Sequence, residues 1–127
     1  MHPAYFETRF HIDRDLGFPR EFAILSAHAT TGEQWSDAKN READRSLRNR
    51  LVDLGCTPIR IVGYSTSSEH AEPSWITSLG FDLACDIGNQ YLQDALYYVI
   101  DDELYVSHCD QRRGLVFVGP FRARVGV

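Results

Sequence analysis

The sequence predicts an α+β fold, in which a mixed β-sheet of five to six strands carries two α-helices packed largely on one face. Two segments in the middle of the chain, residues 37–54 and 81–93, repeat apolar residues at helical spacing. Short apolar or alternating runs, which are typical of strands, lie before, between and after these segments. The predicted order of elements is therefore β-β-α-β-(β)-α-β-β-β.

The first half of the chain predicts two strands and a long helix. Residues 4–13 alternate between apolar and polar side chains, as in a half-buried strand, and residues 22–27 form an apolar run of strand length. The helix can begin at either of two N-cap signals, Thr31 or Ser36, and Gly55 is a natural stop.

Arginine supplies twelve of the thirteen cationic side chains. On the predicted helix, Arg41, Arg45 and Arg48 are spaced to form one cationic stripe. The stripe either faces a phosphate-bearing ligand, which arginine suits, or is a solvated face. Pairs of Asp37 with Arg41 and of Asp44 with Arg48 would support the solvated face.

The second half of the chain predicts further strands and a hairpin. Residues 58–64 form an apolar strand, residues 65–75 a polar surface loop and residues 76–79 a short strand. The strands predicted after the second helix lie at residues 95–100, 103–107 and 114–118, with a hairpin turn at Asp101 and Asp102.

Length and composition predict one globular domain over residues 1–127, of which 43% are hydrophobic and 24% charged. The net charge of −5 disfavours binding to long nucleic acids. No apolar run approaches the roughly 20 residues that cross a bilayer, and no signal peptide is recognisable, so we expect a cytoplasmic protein without a membrane partner. The three widely spaced cysteines favour reduced thiols. They are Cys56, Cys85 and Cys109.

Sequence motifs of zinc sites, phosphate loops, dinucleotide sites and nucleophile elbows are absent, so we expect neither a metal nor a cofactor. The candidate site residues instead lie in loops and at helix starts. One wall is predicted in the loop that leaves strand 22–27, where His28 and Thr30 precede Asn40 and Arg41 on the helix.

A second group of candidates lies farther along the chain: Glu72, Ser74, and Gln90 or Gln93. Pro73 holds Glu72 in an extended conformation. A carboxylate and the imidazole of His28 in one cleft would suit general acid–base catalysis, with amides and hydroxyls positioning a substrate. Alternatively, these polar groups cap turns and satisfy backbone groups.

These segments resemble a family of small bacterial and phage proteins known as a domain of unknown function. The shared features are an apolar strand and its loop, an Asn-Arg helix opening, a Glu-Pro-Ser segment and a Gln-x-Ala segment entering a strand. In this sequence they lie at residues 22–30, 40–55, 72–74 and 93–95. His28 and Ala29 stand where the family loop has Trp-Asn-Pro.

The chain is also loosely similar to the small homodimeric ring nucleases encoded beside type III CRISPR systems and by phages. That resemblance implies metal-independent opening of cyclic oligoadenylates by in-line attack of a ribose 2′-hydroxyl, largely through positioning. The open face of the predicted sheet or its last hairpin would be available for a partner, so we expect a homodimer. The implied catalytic residues are Glu72, His28 and Gln93, with Asn40, Arg41, Arg45, Ser74, Arg60 and Thr30 binding the substrate.

Two other classes of function stay open from the sequence. A binding module would sequester the nucleotide without cleaving it. A protein–protein interaction or inhibitor domain would use the acidic surface and the tyrosines of the hairpin, Tyr97, Tyr98 and Tyr105, because aromatic residues are favoured at interface centres.

Overall fold

Eight strands and two α-helices form the part of the chain that the structure describes. The structure is a computed structural model and describes residues 1–14, 17–29, 34–66 and 70–127. The helices are α1 (Asp37–Asp53) and α2 (Phe81–Gln90). The strands are β1 (Thr8–His11), β2 (Glu21–Leu25), β3 (Ile59–Ser65), β4 (Ala71–Thr77), β5 (Ala95–Ile100), β6 (Glu103–His108), β7 (Val116–Pro120) and β8 (Val125–Gly126). Short 3-10 helices lie at Pro3–Phe6 and Arg122–Arg124.

The strands form one mixed sheet in the order β7-β6-β5-β2-β4-β3-β1-β8. Neighbouring strands pair antiparallel, except that β1 and β8 pair in parallel. The α+β prediction is confirmed, but the predicted count of five to six strands was wrong, because the described sheet has eight. Strand β8 has only two residues and is held by its pairing with β1, so the sequence contains no periodic signal for it.

Strand β4 occupies a segment for which the sequence predicts a polar loop followed by a short strand. Its residues pair with β3 from Ile76 back to Ala71. The loop prediction failed because Glu72 and Ser74 face the inner side of the sheet without lying in its apolar core, so the expected apolar alternation is missing. The prediction that Glu72 is extended beside Pro73 is confirmed.

The structure fixes the ends of three elements. The start of α1 decides between two predicted N-cap signals, and the other two ends differ from the predictions. Helix α1 begins at the Ser36 signal, whose Oγ accepts a hydrogen bond from the Lys39 N–H at 3.1 Å. Helix α2 ends at Gln90, earlier than predicted, and Leu92 then adopts a left-handed conformation with φ of 62°. The first predicted strand begins instead as the 3-10 helix at Pro3–Phe6, where proline suits the first turn.

Both helices pack on the outer face of the sheet, as predicted. Leu47 and Leu51 of α1 and Ile87 of α2 share one buried cluster with Leu25 and Tyr98 of the sheet. A second buried cluster lines the inner face, where Phe10, Phe22, Ile24, Ile61, Ile76 and Val99 meet. The sheet therefore separates two apolar cores.

The sheet curls into a half-barrel. Strands β7 and β8 lie at opposite edges although only residues 121–124 separate them in the chain, and such a segment spans at most roughly 15 Å. Inside the curl, the buried Phe121 packs against Phe10, Phe18 and Phe22 with ring centroids 5.6, 5.1 and 5.3 Å away. These rings fill one end of the half-barrel, and the other end is open.

Candidate functional site

A cleft lies at the open end of the half-barrel, where β2 ends and β4 begins. Its wall combines apolar side chains, among them Tyr5, Phe10, Ile24 and Tyr97, with groups that can exchange protons or form hydrogen bonds. The polar lining residues are His2, Thr8, Ser26, Ser65, His70, Glu72, Ser74 and Gln93. No Arg or Lys belongs to the lining that the described residues form.

Glu72 provides the carboxyl group of the cleft. In the β3–β4 ladder it lies opposite Gly63, which adds no side chain to the inner face beside it. Burial raises the pKa of the Glu72 carboxyl, while a hydrogen bond from the Ser26 side chain and the nearby His70 act in the opposite direction. The acid form of Glu72 is therefore favoured at a higher pH than in a solvated glutamate.

Two hydroxyl groups lie on the inner face close to Glu72. Ser26, directly after β2, lies 3.2 Å from the Pro73 carbonyl oxygen, and its Oγ accepts a hydrogen bond from the His28 N–H at 3.1 Å. Ser74 donates its hydroxyl proton to the Glu72 backbone carbonyl at 3.2 Å. The strand and loop backbone thus fixes both hydroxyls.

The N-terminal 3-10 helix covers part of the cleft. Tyr97 of β5 donates its hydroxyl proton to the Tyr5 carbonyl at 2.7 Å, and the Thr8 hydroxyl oxygen lies 2.7 Å from the Tyr97 hydroxyl oxygen. Burial raises the pKa of Tyr97, so its phenol stays protonated and keeps this donor. The rings of Tyr5 and Tyr97 meet edge to face with centroids 6.2 Å apart. One wall of the cleft is therefore aromatic.

Asn40 and Gln93, which the sequence places among the substrate-contacting residues, hold the loop after β2. The Asn40 side-chain oxygen accepts the Ala29 N–H at 3.0 Å. The Gln93 amide donates to the His28 carbonyl at 2.8 Å and to the Tyr91 carbonyl at 3.2 Å. Gln93 also lines the cleft, whereas Asn40 does not. Both side chains thus satisfy backbone groups, which is the alternative role that the sequence left open for them.

His28 is not among the residues that line the cleft. Burial lowers the pKa of its imidazole, with smaller opposing and assisting effects from the charges of Asp44 and Arg60. Those two side chains belong to α1 and to the outer face of β3. The role of the His28 imidazole as the partner of Glu72 therefore stays a prediction, whereas the imidazole of His70 lines the cleft together with Glu72.

The arginines predicted to hold phosphate lie away from the cleft. Arg60 forms a bidentate ion pair with Asp44, in which its two terminal nitrogens lie 3.1 and 2.6 Å from the carboxylate oxygens. The guanidinium carbon lies 3.7 Å from the centroid of the Trp75 ring. Arg60 faces outward because its neighbours Ile59 and Ile61 face inward. Arg41 and Arg45 are exposed on α1. The predicted pairing of Asp44 with Arg48 was also wrong, since Asp44 pairs with Arg60.

Of the remaining predicted site residues, Ser74 lines the cleft beside Glu72. Thr30 lies outside the residues that the structure describes. Tyr98, one of the tyrosines predicted for a protein interface, is buried against Phe81 with ring centroids 5.5 Å apart. Tyr97 belongs to the cleft, so two of the three hairpin tyrosines are unavailable for such an interface.

Sequence reasoning missed Ser26, His70 and Tyr97 as residues of the cleft. Ser26 continues the inward alternation of Phe22 and Ile24 by one more step, and this signal could have identified it. Tyr97 pairs with Ile24 in the β2–β5 ladder, a relation that depends on sheet order. His70 lies within residues 65–75, the segment that the sequence predicts to be a surface loop.

The fold and the cleft define an α+β half-barrel protein with a carboxyl group and hydroxyl groups at its open end. Residues 25–96 match a family described as a protein of unknown function, DUF3293, and the chain belongs to this family. The predicted resemblance to a domain-of-unknown-function family is thereby confirmed, and the similarity to ring nucleases stays a prediction. No curated protein and no solved structure matches the chain.

The family segment contains most of the residues that line the cleft, among them Glu72, Ser74 and Gln93. The three cysteines, all buried, are free thiols. No described helix is both long and apolar enough to cross a membrane. Within the described ranges, His, Cys, Asp and Glu side chains do not gather in a group of three that could hold a metal ion.

Proposed function

We propose that the protein is a metal-independent phosphodiesterase that binds a cyclic oligoadenylate at the concave cleft and opens the ring. The observation that carries this proposal is the half-buried carboxyl of Glu72, whose pKa is raised by burial and which faces a cleft beside the imidazole of His70 and the hydroxyls of Ser26 and Ser74. A carboxyl group with a raised pKa suits proton transfer near neutral pH. The substrate class comes from the sequence resemblance.

The reaction requires one proton to leave and one to arrive. The ribose 2′-oxygen attacks the adjacent phosphorus, the bond to the 5′-oxygen breaks, and a 2′,3′-cyclic phosphate and a 5′-hydroxyl result. In the proposed mechanism, the acid form of Glu72 donates its proton to the leaving 5′-oxygen. The neutral imidazole of His70 accepts the 2′-hydroxyl proton, and exchange with water restores both groups.

The geometry supports a different division of roles from the one the sequence implies. Because the described lining contains no Arg or Lys, we place a ribose and its base in the cleft and the remaining phosphates outside it. The aromatic wall formed by Tyr5 and Tyr97 suits contact with a base. Gln93 and Asn40 contribute by holding the loop after β2. A cytoplasmic homodimer stays our prediction for the location and assembly.

The test is incubation with cyclic oligoadenylates of different ring size in EDTA, followed by chromatography. We expect linear products from the unaltered protein and a loss of rate of about 100-fold or more in Glu72→Ala, as is usual for a lost general acid. Glu42→Ala, at an exposed position on α1, is the matched control and should keep the full rate. Intact rings with the unaltered protein, or equal rates in both variants, would contradict the proposal.

Non-catalytic nucleotide binding is the second candidate function. It is favoured by the cation-free lining of the described cleft, since phosphoryl transition states are commonly stabilised by positive charge. Under this alternative, rings bind with measurable affinity and stay intact. Glu72→Ala would then change the affinity alone.

A further inference from the structure

We propose that Ser26 is a positioning residue whose single hydroxyl proton is shared between the Pro73 carbonyl and the Glu72 carboxyl, so that it controls how readily Glu72 releases its own proton. This inference deepens the proposed function and rests on it for its catalytic consequence. It concerns the protonation of Glu72 itself, which can be measured without any substrate.

The position of Ser26 follows from the register of the sheet. Leu25 pairs with Trp75 and faces outward with it, so the next residue, Ser26, faces inward beside the start of β4. Its hydroxyl lies 3.2 Å from the carbonyl oxygen of Pro73, the residue that follows Glu72, and Ser26 and Glu72 line the same cleft. A hydrogen bond from the Ser26 side chain lowers the pKa of the Glu72 carboxyl. Ser26 is largely buried, so these contacts exclude much of the competing water.

The hydroxyl proton of Ser26 has two possible acceptors, given the other hydrogen bonds of this residue. The His28 N–H donates to the Ser26 oxygen at 3.1 Å and uses part of its acceptor capacity. The hydroxyl proton can then point to the Pro73 carbonyl or to the Glu72 carboxylate. An ionised Glu72 is the stronger acceptor, because hydrogen bonds to charged groups are the stronger ones. Ser26 therefore stabilises the ionised form of Glu72 and changes partner when Glu72 is protonated.

Other titratable groups also face Glu72 and limit how strongly Ser26 alone can determine its ionisation. His70 precedes β4, and its imidazole favours the ionised carboxyl when it carries a proton. Tyr97 on β5 is held protonated by burial, and Tyr5, Tyr64 and His2 complete the titratable lining around the cleft. Ser26 differs from them because it carries no charge of its own, so its removal changes a hydrogen bond and leaves the local charge unaltered.

The primary experiment is a carbon-13 NMR titration of the Glu72 carboxyl in isotope-labelled protein. In Ser26→Ala, we expect the pKa of Glu72 to move further upward, because its ionised form loses a donor. Ser26→Thr keeps a hydroxyl and should titrate like the unaltered protein. Ser46→Ala removes an exposed hydroxyl from α1 that bonds Tyr91, and should leave the Glu72 titration unchanged.

A second readout is the pH profile of ring opening. Because Glu72 acts as an acid, the rate falls as Glu72 ionises, and Ser26→Ala should move this alkaline limb to higher pH. If Ser26→Ala does not fold, Ser26→Cys supplies a weaker donor at the same place and should shift the titration in the same direction.

The results separate the inference from the proposed function. A Glu72 titration that is identical in the unaltered protein and in the folded Ala or Cys variant would overturn the inference, whatever the nucleotide assay shows. A shifted titration together with intact rings would support the inference and overturn the proposed function alone.

Discussion

At the scale of single residues, the burial of Glu72 makes the stability of the protein depend on pH. A carboxyl group whose pKa is higher in the folded than in the unfolded chain stabilises the fold fully below its unfolded pKa of about 4.5, and this contribution is lost as the pH rises through the folded value. We therefore expect Glu72→Gln, which cannot ionise, to gain free energy of unfolding relative to the unaltered protein as the pH increases from 4.5 towards neutrality.

Urea denaturation at a series of pH values measures this difference. His70 lies in the same cleft, but it is present in both proteins, so its effect enters the comparison only through its coupling to Glu72. Glu42→Gln on the exposed face of α1 is the control and should show no comparable trend. A difference between Glu72→Gln and the unaltered protein that is constant over this range would contradict the burial argument.

At the scale of elements, Gly88 sets how closely α2 approaches the sheet. A Cβ atom at this position would lie 2.7 Å from the Cys109 sulfur and 3.5 Å from the Leu25 side chain. Overpacking of a core costs about 1–3 kcal/mol, and the better helix propensity of alanine returns only about 1 kcal/mol. We expect Gly88→Ala to lower the free energy of unfolding, as measured by urea denaturation.

The double variant Gly88→Ala with Cys109→Ala tests the cause, since it removes the sulfur that the new methyl group would meet. We expect its loss of stability to be smaller than the sum of the two single losses, because residues in contact are not additive. Strictly additive losses would show that the helix does not rest against Cys109.

Elements with a strong local signal were predicted correctly, and elements defined by pairing were not. Helix α1 and the β5–β6 hairpin follow from apolar spacing and from the turn at Asp101 and Asp102, both of which adopt positive φ. Strand β4 has no such signal, because its inward positions line a polar cleft. Glu72 and Ser74 were found as candidates from residue type, while their proximity to Ser26 depends on the pairing of β2 with β4.

At the scale of the whole molecule, the order of strands explains why the predicted site separated into two groups. Neighbouring residues of a strand face opposite sides of a sheet. Glu72 and Ser74 face the interior of the half-barrel, whereas Arg60 and its partner Asp44 lie on the helix-bearing face. A sequence shows that such residues are close along the chain, but the side of the sheet that each one reaches depends on register.

The curl of the sheet predicts a large difference between two phenylalanines near its edge. Phe121 is 1% exposed and packs against three rings inside the half-barrel, whereas Phe117 on β7 is 55% exposed. We expect Phe121→Ala to lower the free energy of unfolding by about 3–5 kcal/mol, because it leaves a cavity where the two edges of the sheet approach each other. Phe117→Ala, the same chemical change, should stay within about 0.5 kcal/mol of the unaltered protein. Urea denaturation of both variants measures the difference, and equal losses would mean that Phe121 does not close the half-barrel.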